Sequence, residues 1–360
     1  MIGKPKRAAA GLSATVSQDA KKLCRRYGLN YVETAHLRLR SRRCGKGFAY
    51  IDANGRTIRD KAVKARITQL ALPPAWTDVC IAEDERAHIQ AVGRDAEGRL
   101  QYRYHPDWDN ARSETKAQRL LRLGSALPQL RDAVRKALSN PELTRTKVIA
   151  AVVRLIDRAL LRPGYEEYAK GGGARGASTL LKSDVFLQGD KVVVEFDGKG
   201  GRPVKREVKD KTLARILKKL SNLRGSRLFS APDDKGQARP VTAREVNAFL
   251  AEASGADVTA KDFRTFRASA EALALLTENN GHEREKLRKQ AIIEAADKAS
   301  EILVNTRTVA RLSYIHPSVI KAYASGKLEA ALFRGRLRSG LNRIETALMR
   351  FLERKPAQPD

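Results

Sequence analysis

The sequence predicts an α+β protein: a small β-rich N-terminal domain, then a mainly α-helical domain that carries a small antiparallel sheet. Three observations predict it. At 360 residues the chain is long enough for about two domains of ~100–200 residues each. Apolar residues make up 42% of it, enough to bury cores and to exclude a disordered basic tail protein. The periodicity also changes along the chain. Short apolar runs between turn signals fill the first hundred residues, and helical spacing dominates from Ser113 onward. The division expected is a basic, poorly ordered arm over 1–30, a β-rich domain over 31–105 and a helical domain over 106–360.

The start, MIGKPKRAAAGLSATVSQ, lacks the apolar stretch of a secretory signal and reads as a basic arm, with an organelle transit peptide as the alternative. Gly47 to Asp52 runs into Ala53-Asn54-Gly55, an Asn-Gly hairpin signal. Ala87 to Gly93, a polar turn from Arg94 to Gly98, and Arg99 to Tyr104 make a second hairpin. His105-Pro106 ends it, because proline cannot continue a central strand. Val148, Ile149, Val152, Val153, Ile156 and Leu160 share one helical face, and that helix stops at Arg162-Pro163-Gly164. Three strands interrupt the helices, at Thr179 to Leu181, Val185 to Leu187 and Lys191 to Phe196, the last entering the tight turn Asp197 to Gly201. Leu213, Ile216, Leu217 and Leu220 mark the next helix, and Thr242-Ala243-Arg244-Glu245 is a capping box opening another. Further helices are predicted at about 260–276, 282–303, 306–315 and 341–353.

Charge sets the class of partner. There are 70 Lys+Arg against 41 Asp+Glu, a net charge of +29. The excess is not confined to one tail: residues 1–105 hold 21 basic and 10 acidic residues, and residues 106–360 hold 49 and 31. Both parts are cationic, which points to a polyanion, most simply nucleic acid. No apolar run approaches the ~18 residues of a membrane span. Cys24, Cys44 and Cys80 lack CxxC spacing, so neither a disulfide framework nor a zinc site is expected, and a reducing compartment is the simple reading.

The usual phosphate signatures are missing. There is no GxxxxGK(S/T) loop, so ATP chemistry has no support. Gly171 to Gly176 precedes a strand, whereas phosphate cradles follow a strand and open a helix; it reads as a flexible loop. The histidines at 36, 88, 105, 282 and 316 show no HxxxH or HExxH spacing, and the carboxylates form no cluster, so metal-dependent phosphodiester chemistry is disfavoured and no cofactor is expected.

What remains is a set of basic residues ending in one tyrosine. Singly, each has a bland reading: an arginine ending a helix complements its dipole, a lysine in a turn is solvated, a tyrosine on an amphipathic helix is half-buried core. The order is more specific. Arg162 is followed by Lys199 in a β-turn, by KDFR at 261–264, and by Asn305 nine residues ahead of Tyr314 in SYIHP. This set resembles the type IB DNA topoisomerases, in particular their compact poxvirus-like and bacterial kind. The resemblance extends to GRDAEGRLQYRYHP (93–106), WDNARSETKAQRLLRLGSALPQLR (108–131) and RLIDRALLRPGYEEYAK (154–170), with matching segments from Tyr31 to Tyr323.

The resemblance implies a monomeric enzyme that closes on double-stranded DNA as a clamp and relaxes supercoils without ATP or metal, in the bacterial cytoplasm with the nucleoid. Residues 106–360 would be its catalytic domain. Tyr314 would be the nucleophile, forming a 3′-phosphotyrosyl link. Its free phenol has a pKa of about 10, so a cationic pocket is required. Arg162 and Arg264 would clamp the non-bridging oxygens, since guanidinium stays charged and planar. Asn305 would add a neutral donor, and Lys199 would serve as general acid, because an ammonium can release a proton. Tyr102, Tyr104, Tyr168 and Lys261 would face the DNA, with ordinary strand packing the equal alternative for Tyr102 and Tyr104; Arg267, extra to the family pattern, either touches the phosphate backbone or is solvated. Two departures stand out: Asn305 where many members have His, and Thr265-Phe266-Arg267-Ala268-Ser269 where Thr-Trp and small residues are usual. Two alternatives stay open. A tyrosine recombinase or integrase shares the catalytic domain and the nine-residue spacing, but usually shows HxxR where this chain has Lys261-xx-Arg264 and lacks the GRDxxGRxQYxYHP segment. The other is a non-catalytic DNA-binding protein on the same scaffold.

Overall fold

The structure, a computed structural model, describes residues 20–45, 47–167, 169, 173–232, 237–279 and 284–354. It divides into two compact units between Thr115 and Lys116.

The first unit is built on one antiparallel sheet. Its strands are β1 (Leu39–Cys44), β2 (Gly47–Ile51), β3 (Thr77–Ile81), β4 (Ile89–Arg94) and β5 (Leu100–Tyr104), in the order β2-β1-β3-β4-β5. Helix α1 covers residues 20–26 and α2 spans Lys61–Gln69. Asp60 starts α2 by accepting the backbone N–H groups of Ala62 and Val63. Ile67 of α2 is then buried against Leu39, Val79, Ile81 and Ala91 of the sheet. The expected second hairpin is present as β4 and β5, with Val92 opposite Tyr102. The first is different. The full partner of β2 is β1, and beyond Asn54-Gly55 the chain returns only as a bridge between Ile51 and Thr57. β1 reads LRSRRC, and three arginines on a largely exposed strand hide its period from a search for apolar alternation.

Helix α3 (Pro106–Ser139) begins in the first unit, where Trp108 and Ala111 pack with Cys24 and Leu29, and continues into the second. There α4 (Arg145–Ala159) is the core helix. Val148, Val152, Leu155 and Ile156 are wholly buried, each such side chain contributing ~1.5–3 kcal/mol. The small antiparallel sheet has the order β6 (Val185–Gln188), β7 (Lys191–Asp197) and β8 (Pro203–Lys209). This corrects the expected strand at Thr179 to Leu181: Ala177–Thr179 is a 3₁₀ turn, and Leu181 makes only an isolated bridge to Arg227. β8 was hidden because it starts at proline and places Arg206 between Val204 and Val208.

The remaining helices are α5 (Lys211–Ser221), α6 (Ala243–Ser254), α7 (Ala260–Glu278), α8 (Glu285–Leu303), α9 (Pro317–Ala324) and α10 (Arg343–Glu353), with a short ribbon of β9 (Ser230–Pro232) and β10 (Ala238–Pro240). The capping box at Thr242 and Glu245 forms as expected. The helix expected over 306–315 is instead a helical turn, Arg307–Val309, followed by a π-helical turn, Ala310–Tyr314. Helix α10 is tied down by Arg131, which pairs with Asp157 at 3.0 Å and with Glu345 at 2.8 Å. Among the described residues no helix is long and apolar enough to cross a membrane.

Candidate active site

Arg264 anchors the site. It lies one turn into α7, whose start is fixed by Asp262: the Asp262 carboxylate accepts Thr259 N–H and Oγ1–H at 2.8 Å and is gripped by Arg119 Nε and Nη2 at 3.2 and 3.0 Å. The Asp of the KDFR segment is thus structural. Arg264 itself is 2% exposed. It donates Nη1 to the carbonyl of Leu160 and Nη2 to that of Leu303 at 2.8 Å, joining the C-terminal ends of α4 and α8. Those ends carry the negative pole of each helix, which offsets part of the cost of burying the charge. Both are closed by non-glycine residues in the left-handed region, Leu160 at φ 55° and Val304 at φ 47°. For a β-branched residue that is local strain, which persists only where surrounding structure enforces it.

Arg162 follows α4 and is held by the chain behind it. The Arg162 carbonyl accepts Ala177 N–H, and the Pro163 carbonyl accepts Ser178 N–H, both at 2.8 Å. Gly164 and Gly176 meet back to back. A Cβ on Gly176 would lie 2.6 Å from Gly164 N and 2.7 Å from Arg162 O, so no side chain fits there. The described part of the glycine-rich stretch, Gly173 to Gly176, therefore braces Arg162; Gly171 and Gly172 lie outside the described residues. The Arg162 guanidinium donates to Asn305 Oδ1 and lies 3.5 Å from the Val304 carbonyl. Because guanidinium only donates, the Asn305 amide oxygen faces it and the NH₂ faces away. That Nδ2 is buried without a hydrogen-bond partner among the described residues, as is Arg264 Nε. An unengaged amide donor and an unengaged guanidinium N–H, with a second guanidinium alongside, suit an anion.

Tyr314 closes the site from the π-helical turn, a geometry frequent at functional positions. Four hydrogen bonds from two side chains fix the backbone around it. Ser269 Oγ donates to the Tyr314 carbonyl at 3.0 Å and accepts His316 N–H at 3.0 Å. Lys116 Nζ donates to the carbonyls of Ser313 and Ile315, on either side, at 3.1 and 2.8 Å. The Arg264 guanidinium lies 5.2 Å from the centre of the Tyr314 ring. Burial on its own pushes the Tyr314 phenol up. The charge of Arg264, with those of Arg162 and Lys261, outweighs it and holds the pKa below its ordinary value. Burial also pulls the Arg264 guanidinium down to about 10, helped by repulsion from Arg162 and Arg206.

The structure thus brings Arg162, Arg264, Asn305 and Tyr314 together. Lys199 is exposed at the tip of the β7–β8 hairpin, where Gly201 N–H bonds the Gly198 carbonyl at 3.1 Å. Gly198 lines the same crevice as Arg162, Arg175, Arg206 and Arg264. Lys261 is exposed in the first turn of α7. Arg267 is engaged with Glu271 at 2.8 Å. Tyr102 and Tyr104 share one face of β5 in the first unit and stack at 5.8 Å. Tyr168 lies outside the described residues. Sequence reading missed Ser269, Lys116 and Arg206. Of these only Arg206 left a signal, an arginine breaking an apolar alternation.

Comparison with known proteins identifies the family. A family model described as the catalytic core of eukaryotic DNA topoisomerase I matches residues 106–332, and one described as the N-terminal domain of bacterial DNA topoisomerase IB matches residues 47–95. DNA topoisomerase 1B of Acanthamoeba polyphaga mimivirus is 30% identical over 283 residues, covering 77% of this chain and 84% of that protein. The N-terminal match is to a topoisomerase domain, which removes the case for a recombinase. The chain therefore belongs to the type IB DNA topoisomerases, enzymes of the isomerase class.

Proposed function

We propose that the protein relaxes supercoiled duplex DNA by transient cleavage of one strand through Tyr314. The observation that carries this reading is the convergence of Tyr314 on two arginines that also suit a phosphate: the Arg264 guanidinium lies 5.2 Å from its ring centre, and Arg162, held on Asn305, lines the same crevice as Arg264. The phenol gives its proton to solvent water, and the phenolate oxygen attacks a backbone phosphorus. The P–O5′ bond breaks as the Oη–P bond forms, leaving a 3′-phosphotyrosyl link and a 5′ oxygen that takes its proton from the Lys199 ammonium. Arg162 and Arg264 bear the charge that builds on the non-bridging oxygens, and Asn305 Nδ2 donates to the same group. The bond energy is kept in the phosphodiester, so neither ATP nor a metal ion is called for. The broken strand swivels about the intact one, and attack of the 5′ hydroxyl on the phosphotyrosine reseals it.

Double-stranded DNA is the substrate in this reading. The two cationic parts of the chain close on it as a monomeric clamp, with Tyr102, Tyr104, Lys261 and Arg267 as contacts, in the nucleoid of a bacterium. Trapping tests the chemistry. Denaturation during reaction with a nicked duplex leaves wild-type protein covalently attached to DNA. Tyr314→Phe, which binds the same duplex, gives no adduct. An adduct from Tyr314→Phe would assign the nucleophile elsewhere.

A further inference from the structure

Three arginines from three elements end on the carbonyls of one helix terminus. Arg264 of α7 donates to Leu303 O at 2.8 Å, Arg162 lies 3.5 Å from Val304 O, and Arg206 of β8 donates to Glu301 O at 2.8 Å. The last carbonyls of a helix lack intrahelical partners and carry the negative end of its dipole, so such a terminus seats cations well. Two of the three are the phosphate-handling arginines of the proposed site. Arg206 has no task in it.

Its position in the strand is the more informative for that. β8 alternates: Val204 and Val208 are buried, and Lys205 and Glu207 are exposed. Arg206 occupies the inward row between the two valines, where an apolar residue is the ordinary choice. Burial pulls its pKa below the usual arginine value. Its Nη1 donates to its neighbour's carbonyl, Lys205 O, at 3.0 Å, while Nη2 reaches the helix, so one planar group joins strand to helix end. It lines the crevice that also holds Gly198, the residue before Lys199.

We propose that Arg206 is a positioning residue for proton transfer: it fastens the β7–β8 hairpin, and with it Lys199, to the terminus of α8 on which Arg264 and Arg162 are seated and from which Asn305 follows. The turn that carries Lys199 is closed by Gly198 N–H on the Arg202 carbonyl at 2.8 Å and by Gly201 N–H on the Gly198 carbonyl at 3.1 Å, so its placement follows that of the two strands below it. β7 is paired on both sides, whereas β8 is paired only with β7 in its sheet, and the Arg206–Glu301 bond anchors it to the helix end. A general acid displaced by ~1 Å loses much of its effect, so this anchor is felt in rate.

The proposal rests on the reading of Lys199 as proton donor, and the test separates the two. Single-turnover cleavage is measured on a duplex that the wild-type protein cleaves, and on the same duplex with sulfur replacing the bridging 5′ oxygen. With sulfur, the P–S bond breaks and the thiolate leaves without a proton, its conjugate thiol having a pKa of only ~8.5. Arg206→Met keeps an unbranched apolar chain in the inward row, Arg206→Lys keeps the charge, and Lys199→Ala is the reference. General acids contribute ~10²–10⁴-fold, so Arg206→Met is expected to slow oxygen-substrate cleavage by roughly tenfold or more, with the sulfur substrate within about threefold of wild type and Arg206→Lys between the two. Equal slowing on both substrates, or none on oxygen, overturns the proposal. Lys199→Ala rescued by sulfur beside an unrescued Arg206→Met overturns the positioning role alone. Lys199→Ala slow on both substrates overturns the proton-donor reading, and the role of Arg206 with it.

Discussion

At Tyr314 two effects of opposite sign set the acidity of one oxygen. Burial raises the phenol pKa and the guanidinium of Arg264 lowers it, with Arg162 and Lys261 assisting. Removing Arg264 takes away the largest effect that opposes burial. In the free protein, the difference in phenolate absorbance between wild type and Tyr314→Phe is expected to show a midpoint below the ordinary value of about 10. In Arg264→Gln, where only Arg162 and Lys261 still oppose burial, the midpoint moves upward. An unshifted midpoint in Arg264→Gln would mean that the arginine does not set the acidity. Arg162, Lys199, Arg264, Asn305 and Tyr314 stood out in the sequence by their order, which resembles a known family's, and not by residue type, since Lys and Arg make up 70 of the 360 residues. What supports them did not. Ser269 acts through a hydroxyl on a backbone carbonyl, and Lys116 reaches two carbonyls nearly 200 residues further along the chain. Neither interaction leaves a local pattern.

Elements follow the same division. Helices with a continuous apolar face, α4 above all, were readable from period alone. β1 and β8 were not, because arginines occupy positions that a pattern search expects to be apolar, and the π-helical turn of Tyr314 was read as plain helix. Nor did the Lys327–Asp360 tail disclose its role. Its described part, as far as Arg354, has one: α10 packs against α7, with Met349 seated in a gap that Gly124 leaves beside Phe266, and Glu345 pairs with Arg131. Burial alone would raise the Glu345 carboxyl; Arg131 and the Asn342 N–H hold it below the usual range. A depressed carboxyl contributes stability that is complete above its ordinary pKa and is lost as pH falls through the lowered one. Glu345→Gln should therefore cost about 1–3 kcal/mol at neutral pH. The gap in Tm between the two proteins should shrink once the pH drops below about 4.3. A gap independent of pH would locate the effect in packing rather than in the charge.

For the whole molecule, the charge of +29 is divided between both parts of the chain, a division plain from the residue counts alone. It accords with a substrate met mainly through phosphates. Each phosphate neutralised contributes a slope of about −0.9 to the logarithm of affinity against the logarithm of salt, so duplex binding by Tyr314→Phe is expected to weaken steeply with salt. A slope near zero would set aside the clamp. What charge leaves open is whether binding ends in chemistry, and one measurement addresses that most directly: relaxation of supercoiled plasmid in EDTA without ATP, by wild type and Tyr314→Phe side by side. The account predicts a ladder of relaxed topoisomers from the wild-type protein and none from the variant. Relaxation by Tyr314→Phe, or by wild type only after a metal ion or ATP is supplied, would contradict it.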